Sequence, residues 1–127
     1  MMKVLIVDSD QTSCELLDSW LSSRGYEVTC AYDGMEGIKL YEKLKPDLVI
    51  SEIMLPVING YQLIRLILEG KKQALRPCNI IILTAVRRAD SRNFCLELGA
   101  TDVWLKPFDP EQLARSLEKH MPQEAVT

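Results

Sequence analysis

One stretch, Pro46 to Leu63 (PDLVISEIMLPVINGYQL), constrains the fold of this chain more than any other. From Asp47 to Ile53 the side chains are almost all apolar up to Ser51 and Glu52, with Pro46 before the run and Pro56, Asn59 and Gly60 after it. A short run closed on both sides by turn-forming residues reads as a strand, and one that is apolar at consecutive positions is covered on both faces, as in a parallel sheet. In open parallel sheets ligands gather where the strands end, and Glu52 stands at such an end. A carboxylate there is either a solvated terminus or part of a site, and the other strand ends decide which.

The rest of the chain supplies those ends. Lys3 to Val7 (KVLIV) is a first buried strand that stops at Asp8. Residues 11 to 24 place Cys14, Leu17, Trp20 and Leu21 on one face at helical spacing, with Gly25 as the stop and either Asp10 or Thr12 as the cap. Glu27 to Tyr32 alternates as a strand nearer the sheet edge. Asp33 and Glu36 then open a second helix that turns Ile38, Tyr41 and Leu44 inward until Pro46. Tyr61 to Glu69 is a third helix closed by Gly70, and a polar loop leads to Cys78. Asn79 to Thr84 is a fourth strand and Ala89 to Leu98 a helix ended by Gly99. Asp102 to Lys106 is a fifth strand cut off by Pro107, and Pro110 opens a last helix with Leu113 and Leu117 inward. Five alternations of strand and helix resolve as an α/β fold, a parallel sheet with right-handed crossovers and helices on both faces.

Composition narrows the class. With 127 residues, no long apolar run and no basic-then-apolar leader, the expectation is one soluble, cytoplasmic domain over 1–121 without a membrane span, and 122–127 as a tail or the start of a linker. Cys14, Cys30, Cys78 and Cys95 are widely spaced and form no CxxC pair, which argues for reduced, packed thiols and against zinc. A net charge of −3 argues against direct nucleic acid binding.

The strand ends bring together Asp8, Ser9 and Asp10 after the first strand, Glu52 after the third, Thr84 and Ala85 after the fourth, and Lys106 and Pro107 after the fifth. Carboxylates, a hydroxyl and an ammonium on one rim suit a phosphoryl group with a hard divalent cation. These residues sit in VLIVDSD, AYDGMEGI, PDLVISEIMLPVINGYQL, IIILTA and LGATDVWLKPF. In that order and spacing, along essentially the whole length, they resemble the receiver domains of bacterial two-component response regulators, the CheY-like family. The resemblance implies a flavodoxin-like (βα)5 fold with strand order 2-1-3-4-5. It also implies a signalling module with no turnover, in which an aspartate at the end of the third strand accepts phosphoryl from a histidine kinase, with magnesium held beside it.

Residue by residue, the resemblance places the phosphoacceptor on Glu52 and the acidic pair on Asp8 and Ser9. A backbone carbonyl ligand falls on Met54, the switch hydroxyl on Thr84, the reporting aromatic on Trp104, the phosphate-binding lysine on Lys106 and the proline after it on Pro107. Glutamate sets its carboxylate about 1.5 Å further out than aspartate, and misplacing a reacting atom by about 1 Å can cost roughly 100-fold in rate. Serine at position 9 removes a carboxylate from the metal set of Asp8, Glu52 and Met54. The expectation is therefore a degenerate receiver, not phosphorylated by the usual aspartyl route and needing no cofactor, with magnesium bound weakly at most. Glu52 then acts as a partial mimic of the charged state, reaching toward Lys106 and Thr84. Its partners are a histidine kinase or another signalling protein, and a second copy through the fourth helix, fifth strand and last helix. There Arg87, Arg88 and Arg92 are set against Glu97, Glu111 and Glu118, while His120 near the end of the last helix favours the helix dipole. An enzymatic alternative comes from VLIVDSDQT, which is similar to the first motif of haloacid-dehalogenase-like phosphatases, with Asp8 as nucleophile and Asp10 as general acid/base. It lacks the later paired aspartates of that family.

Overall fold

The structure, a computed structural model, describes residues 2–74 and 78–120. Five strands and five helices alternate: β1 (Lys3–Val7), α1 (Gln11–Ser23), β2 (Glu27–Ala31), α2 (Gly34–Leu44), β3 (Leu48–Ser51), α3 (Gly60–Ala74), β4 (Asn79–Thr84), α4 (Ala89–Leu98), β5 (Asp102–Leu105) and α5 (Pro110–His120). The strands are parallel in the order β2-β1-β3-β4-β5, the flavodoxin-like arrangement. Because strand side chains alternate, the sheet divides the core in two. Leu5, Val7, Val49, Ile80 and Ile82 pack with Tyr41 of α2, Leu63 and Ile67 of α3 and Cys95 of α4. On the other face Val4, Ile6, Leu48, Ile50 and Ile81 pack with Cys14, Leu17 and Leu21 of α1 and Leu113 and Leu117 of α5.

Register sets the site. Val7 is level with Ser51, Ser51 with Ile82 and Ile82 with Val103. Asp8 and Glu52 therefore leave the sheet side by side, while Thr84 and Lys106 stand two and three residues beyond the same level on β4 and β5.

Several boundaries differ from the sequence reading, each because a side chain or turn claims a backbone group. The third strand is shorter than Asp47–Ile53: the Ile53 amide donates to Glu52 Oε1 at 2.7 Å and the Ile53 carbonyl accepts from Gly60 N at 2.8 Å. The second strand stops before Tyr32, whose amide donates to Glu36 Oε1 at 3.0 Å. The third helix continues through Gly70 to Ala74; a glycine inside a helix costs only about 1 kcal/mol, and at Gly70 the ring of Tyr41 packs alongside. Of the polar loop expected after Gly70, 71–74 are helical and 75–77 lie outside the described residues, as does the expected tail 122–127. Trp20 is half-buried at the flank of α1, edge-on to Phe108 at 6.1 Å with the Arg24 guanidinium over its ring at 4.4 Å.

The turn from β3 to α3 is tightly held. Pro56 O accepts from Ile58 N at 2.9 Å and from Gly34 N at 3.2 Å, with Val57 at φ 71° in a γ-turn. Asn59 and Gln62 then exchange amide-to-side-chain bonds at 3.0 and 2.9 Å, a capping box that starts α3. At Gly60 a Cβ would come within 2.6 Å of the Glu52 carbonyl, so only glycine lets α3 begin directly against the residue that carries the site. Among the described residues no helix is long and apolar enough to cross a membrane.

Candidate functional site

Asp8 and Glu52 are both buried, 5% and 6% exposed. A buried carboxylate needs hydrogen-bond donors or a counter-ion, and each oxygen of both has at least one. Glu52 Oε1 accepts from its neighbour's amide, Ile53 N, and from Thr84 Oγ1; Oε2 accepts from Ala85 N at 3.1 Å and lies 3.1 Å from Lys106 Nζ. Thr84 Oγ1 in turn accepts from Val86 N at 3.0 Å, which orients the hydroxyl so that its proton goes to Glu52. Asp8 Oδ1 accepts from Asp10 N at 2.9 Å, and Oδ2 lies 2.6 Å from Lys106 Nζ. Burial works against the Lys106 ammonium, but the hydrogen bonds and charges of Asp8 and Glu52 outweigh it and raise its pKa above the ordinary lysine value. Lys106 is followed by a cis peptide to Pro107. Pro107 lines a cavity of about 730 Å³ with Leu16, Trp20, Phe108 and the stem of Lys106, between α1 and the start of α5.

The structure thus brings Asp8, Glu52, Thr84, Ala85 and Lys106 together. It does not bring in Asp10. That carboxylate caps α1, accepting from Thr12 N at 3.0 Å, Ser13 N at 3.4 Å and Ser13 Oγ at 3.1 Å. The bonds from the Ser13 amide and hydroxyl hold its pKa below the usual carboxylate value. Of the two roles the sequence offers Asp10, cap of α1 and member of the acidic pocket, these bonds are those of the cap, while its amide donates to Asp8 Oδ1. Ser9 is exposed, as is the Met54 side chain. Trp104 is half-buried against Leu83 and the α1–α5 cluster; its Nε1 is buried without a hydrogen-bond partner among the described residues.

Lys106 Nζ stands between the two carboxylates, Glu52 receives four donors and Asp8 two, and position 9 carries a hydroxyl and no charge. Among the described residues no three His, Cys, Asp or Glu side chains converge as a metal site.

On the α4–β5–α5 face, the arginines are committed within the chain. Arg87 Nη2 donates to Lys106 O at 3.2 Å and Arg92 Nη1 to Val103 O at 2.6 Å, while Arg88 pairs with Asp90 at 3.0 Å. His120 lies 3.7 Å from Asp102 Oδ2, which also accepts from Ser116 Oγ at 2.8 Å. Sequence reasoning missed the Ile53 amide as a donor to Glu52 and Val86 as the group that orients Thr84. Backbone donors leave no residue-type signal, and only strand register reveals them.

Residues 4–118 match the family model described as response regulator receiver domain. Two relatives named "Probable transcriptional regulator ycf27", from Guillardia theta and Galdieria sulphuraria, are 41% and 40% identical over 87% of this chain, which spans only 42% of the length of each. Among solved structures, the chemotaxis protein CheY4 of Vibrio cholerae superposes with a TM-score of 0.85 at 29% identity, covering 95% of this chain and 99% of that one. A two-component response regulator from Clostridium difficile gives 0.85 at 27%, covering 97% and 98%. None of these matches supports the phosphatase alternative.

Proposed function

This chain belongs to the response regulator receiver domain family, and from that premise we propose that it works as a degenerate receiver, one that signals by contact and not by phosphoryl transfer. Receivers of two-component systems are in general signalling modules without enzymatic turnover. The observation that carries the finer reading is the saturated carboxylate of Glu52: Thr84, Ala85 and Lys106 are already gathered on a residue that needs no phosphoryl donor to be charged. Glu52 brings one negative charge where a phosphoaspartate brings nearly two, so it holds the switch hydroxyl and the lysine as a partial mimic and biases the domain only part of the way.

Several expectations follow from the same chemistry. With Lys106 between Asp8 and Glu52, and serine at position 9, magnesium is weak and dispensable. Partners are a histidine kinase or another signalling protein, recognised through the outer helices, and a second copy meeting α4, β5 and α5. Direct binding to nucleic acid and residence at a membrane are outside the reading, and its place is the cytoplasm.

The test is intact-protein mass after incubation with magnesium and acetyl phosphate, for wild type, Glu52→Asp, and Glu52→Asp with Ser9→Asp. Phosphoryl mass on the repaired variants but not on wild type is the expected result. Wild-type labelling that maps to Glu52 or Asp8 would overturn it.

A further inference from the structure

A cavity of about 730 Å³ separates α1 from the turn between β5 and α5. Helical spacing makes one wall, because Ser13, Leu16 and Trp20 recur at three and four positions along α1 and so share a face. Leu83 of β4 lines the cavity from the sheet, and Pro107 and Phe108 form the wall opposite α1. Leu16 is 61% exposed, so the cavity opens to solvent on its side. Trp20 is fixed between Phe108, edge-on at 6.1 Å, and the Arg24 guanidinium, 4.4 Å over its ring, so the aromatic end is built before any occupant arrives. Small-molecule sites are clefts of about 300–1,000 Å³ with mostly apolar walls and a few placed polar groups, and this cavity has that size and makeup.

Polar groups gather at the other end, where α1 begins and Asp10 lines the cavity beside Ser13. A carboxylate offers about four acceptor positions. Asp10 Oδ1 accepts from the amides of Thr12 and Ser13 and Oδ2 from the Ser13 hydroxyl, which leaves a position on Oδ2 among the described residues. Lys106 is the one cation among the described residues of the lining, and its ammonium is held by Asp8 at 2.6 Å and Glu52 at 3.1 Å. Two carboxylates around one ammonium leave one negative charge in excess, and Asp10 adds another. The positive end of the α1 dipole offsets only about half a unit of this. A cavity anionic at one end and apolar along its walls disfavours anions and suits a cation joined to an apolar body. From Asp10 to Trp20 the helix rises about 15 Å, which sets the length of that body.

We propose that this cavity is a binding site for a low-molecular-weight organic cation, an ammonium carried on an elongated aromatic body. The ammonium donates to Asp10 Oδ2, and the rings lie against Leu16, Pro107 and the Trp20–Phe108 pair, displacing water from the apolar walls. An occupant also touches the stem of Lys106, whose ammonium holds Asp8 and Glu52. The inference rests on the cavity and its charge, and stands apart from the reading of Glu52 as a mimic of the phosphorylated state.

The test titrates the isotope-labelled full chain with biphenylmethylamine, biphenylmethanol and biphenylacetic acid at neutral pH and low salt, followed by amide and indole NMR shifts. The amine is expected to give saturable shifts at Ser13, Leu16, the Trp20 indole and Phe108. Its affinity should exceed that of the alcohol by roughly fivefold or more, with the acid weakest, and the difference should narrow at high salt. Asp10→Asn keeps a capping side chain and is expected to abolish the preference for the amine. Wild type without saturable shifts, shifts centred away from the cavity, equal affinities for the three compounds, or an undiminished preference in Asp10→Asn would overturn the proposal. Shifts of the same residues that grow with protein concentration in the absence of any compound would give the groove to a second copy and overturn it too. The three-compound comparison on wild type decides the question even where the variant fails to fold.

Discussion

Replacing Lys106 with methionine removes an ammonium held 2.6 Å from Asp8 and 3.1 Å from Glu52, whose side chains are each only 7% exposed. At an effective dielectric of about 20, the two attractions are gross terms of roughly 6 and 5 kcal/mol. Desolvation of three charges offsets much of that sum. Stripping one partner from such a buried group costs about 3–5 kcal/mol, because the charges left behind have neither water nor a counter-ion. Here the remainder is two carboxylates whose facing oxygens lie within about 6 Å, a distance at which like charges raise the pKa of one of them. The sign of the pH effect follows. In the variant the native state holds a proton that the unfolded state releases, so stability is lost as pH rises from the unfolded carboxyl value toward the raised native one. In wild type Lys106 is raised above 10.5, so its contribution is complete through neutral pH and declines only when pH climbs through that raised value.

Urea unfolding followed by the fluorescence of Trp20 and Trp104, at pH 5 and pH 8, measures both effects. The deficit of Lys106→Met relative to wild type is expected to be about 3–5 kcal/mol at pH 8 and smaller at pH 5. Adding Glu52→Gln should recover part of the loss at pH 8, since it removes one of the stranded charges. A deficit under about 1 kcal/mol, equal deficits at the two pH values, or no recovery in the double variant would refute the idea that Lys106 is the structural cation of this pocket.

Three further outcomes are checkable by the same unfolding assay. Thr84→Val strips a donor from buried Glu52 and an acceptor from Val86 N, and should cost about 2–3 kcal/mol, whereas Thr84→Ser should cost far less. Asp10→Ala should destabilise the protein at pH 7 through loss of the α1 cap. Because the native pKa of Asp10 is lowered, the difference from wild type should shrink as pH falls through that value, and a constant difference down to strong acid would count against the cap. Gly34→Ala would drive a Cβ to 1.9 Å from the Ile58 carbonyl oxygen and should cost about 2 kcal/mol or more, with a shifted β3–α3 turn; an unchanged melting temperature would show that this turn yields freely.

The elements were legible because each carries a local signature: the apolar runs 3–7, 47–53 and 79–84, the capping Asp33 with Glu36, and the stops at Gly25 and Gly99. Their errors have a common origin. Gly70 and Ile53 were assigned from local preference, and in each case a contact from elsewhere in the chain outweighed it: the Tyr41 ring beside Gly70, and the Gly60 amide drawing Ile53 out of the sheet. The site was half legible. Glu52, Thr84, Ala85 and Lys106 are legible from their positions at strand ends, whereas Asp10, two residues beyond Asp8, reads both as a pocket acid and as the α1 cap, and the bonds from Thr12 and Ser13 are those of the cap.

Sequence alone determined the order of strands and helices, that the sheet is parallel and covered on both faces, and that the groups at its carboxyl ends are carboxylates, hydroxyls and an ammonium. All of these depend on residue type and spacing along the chain. Tertiary structure decided which of those groups touch. Lys106 settles between Asp8 and Glu52 and Thr84 turns its proton to Glu52, because parallel register sets distances between residues 32 to 98 positions apart. A hydrogen bond or ion pair switches on and off within about 1 Å of separation, a precision that residue spacing along a chain does not carry.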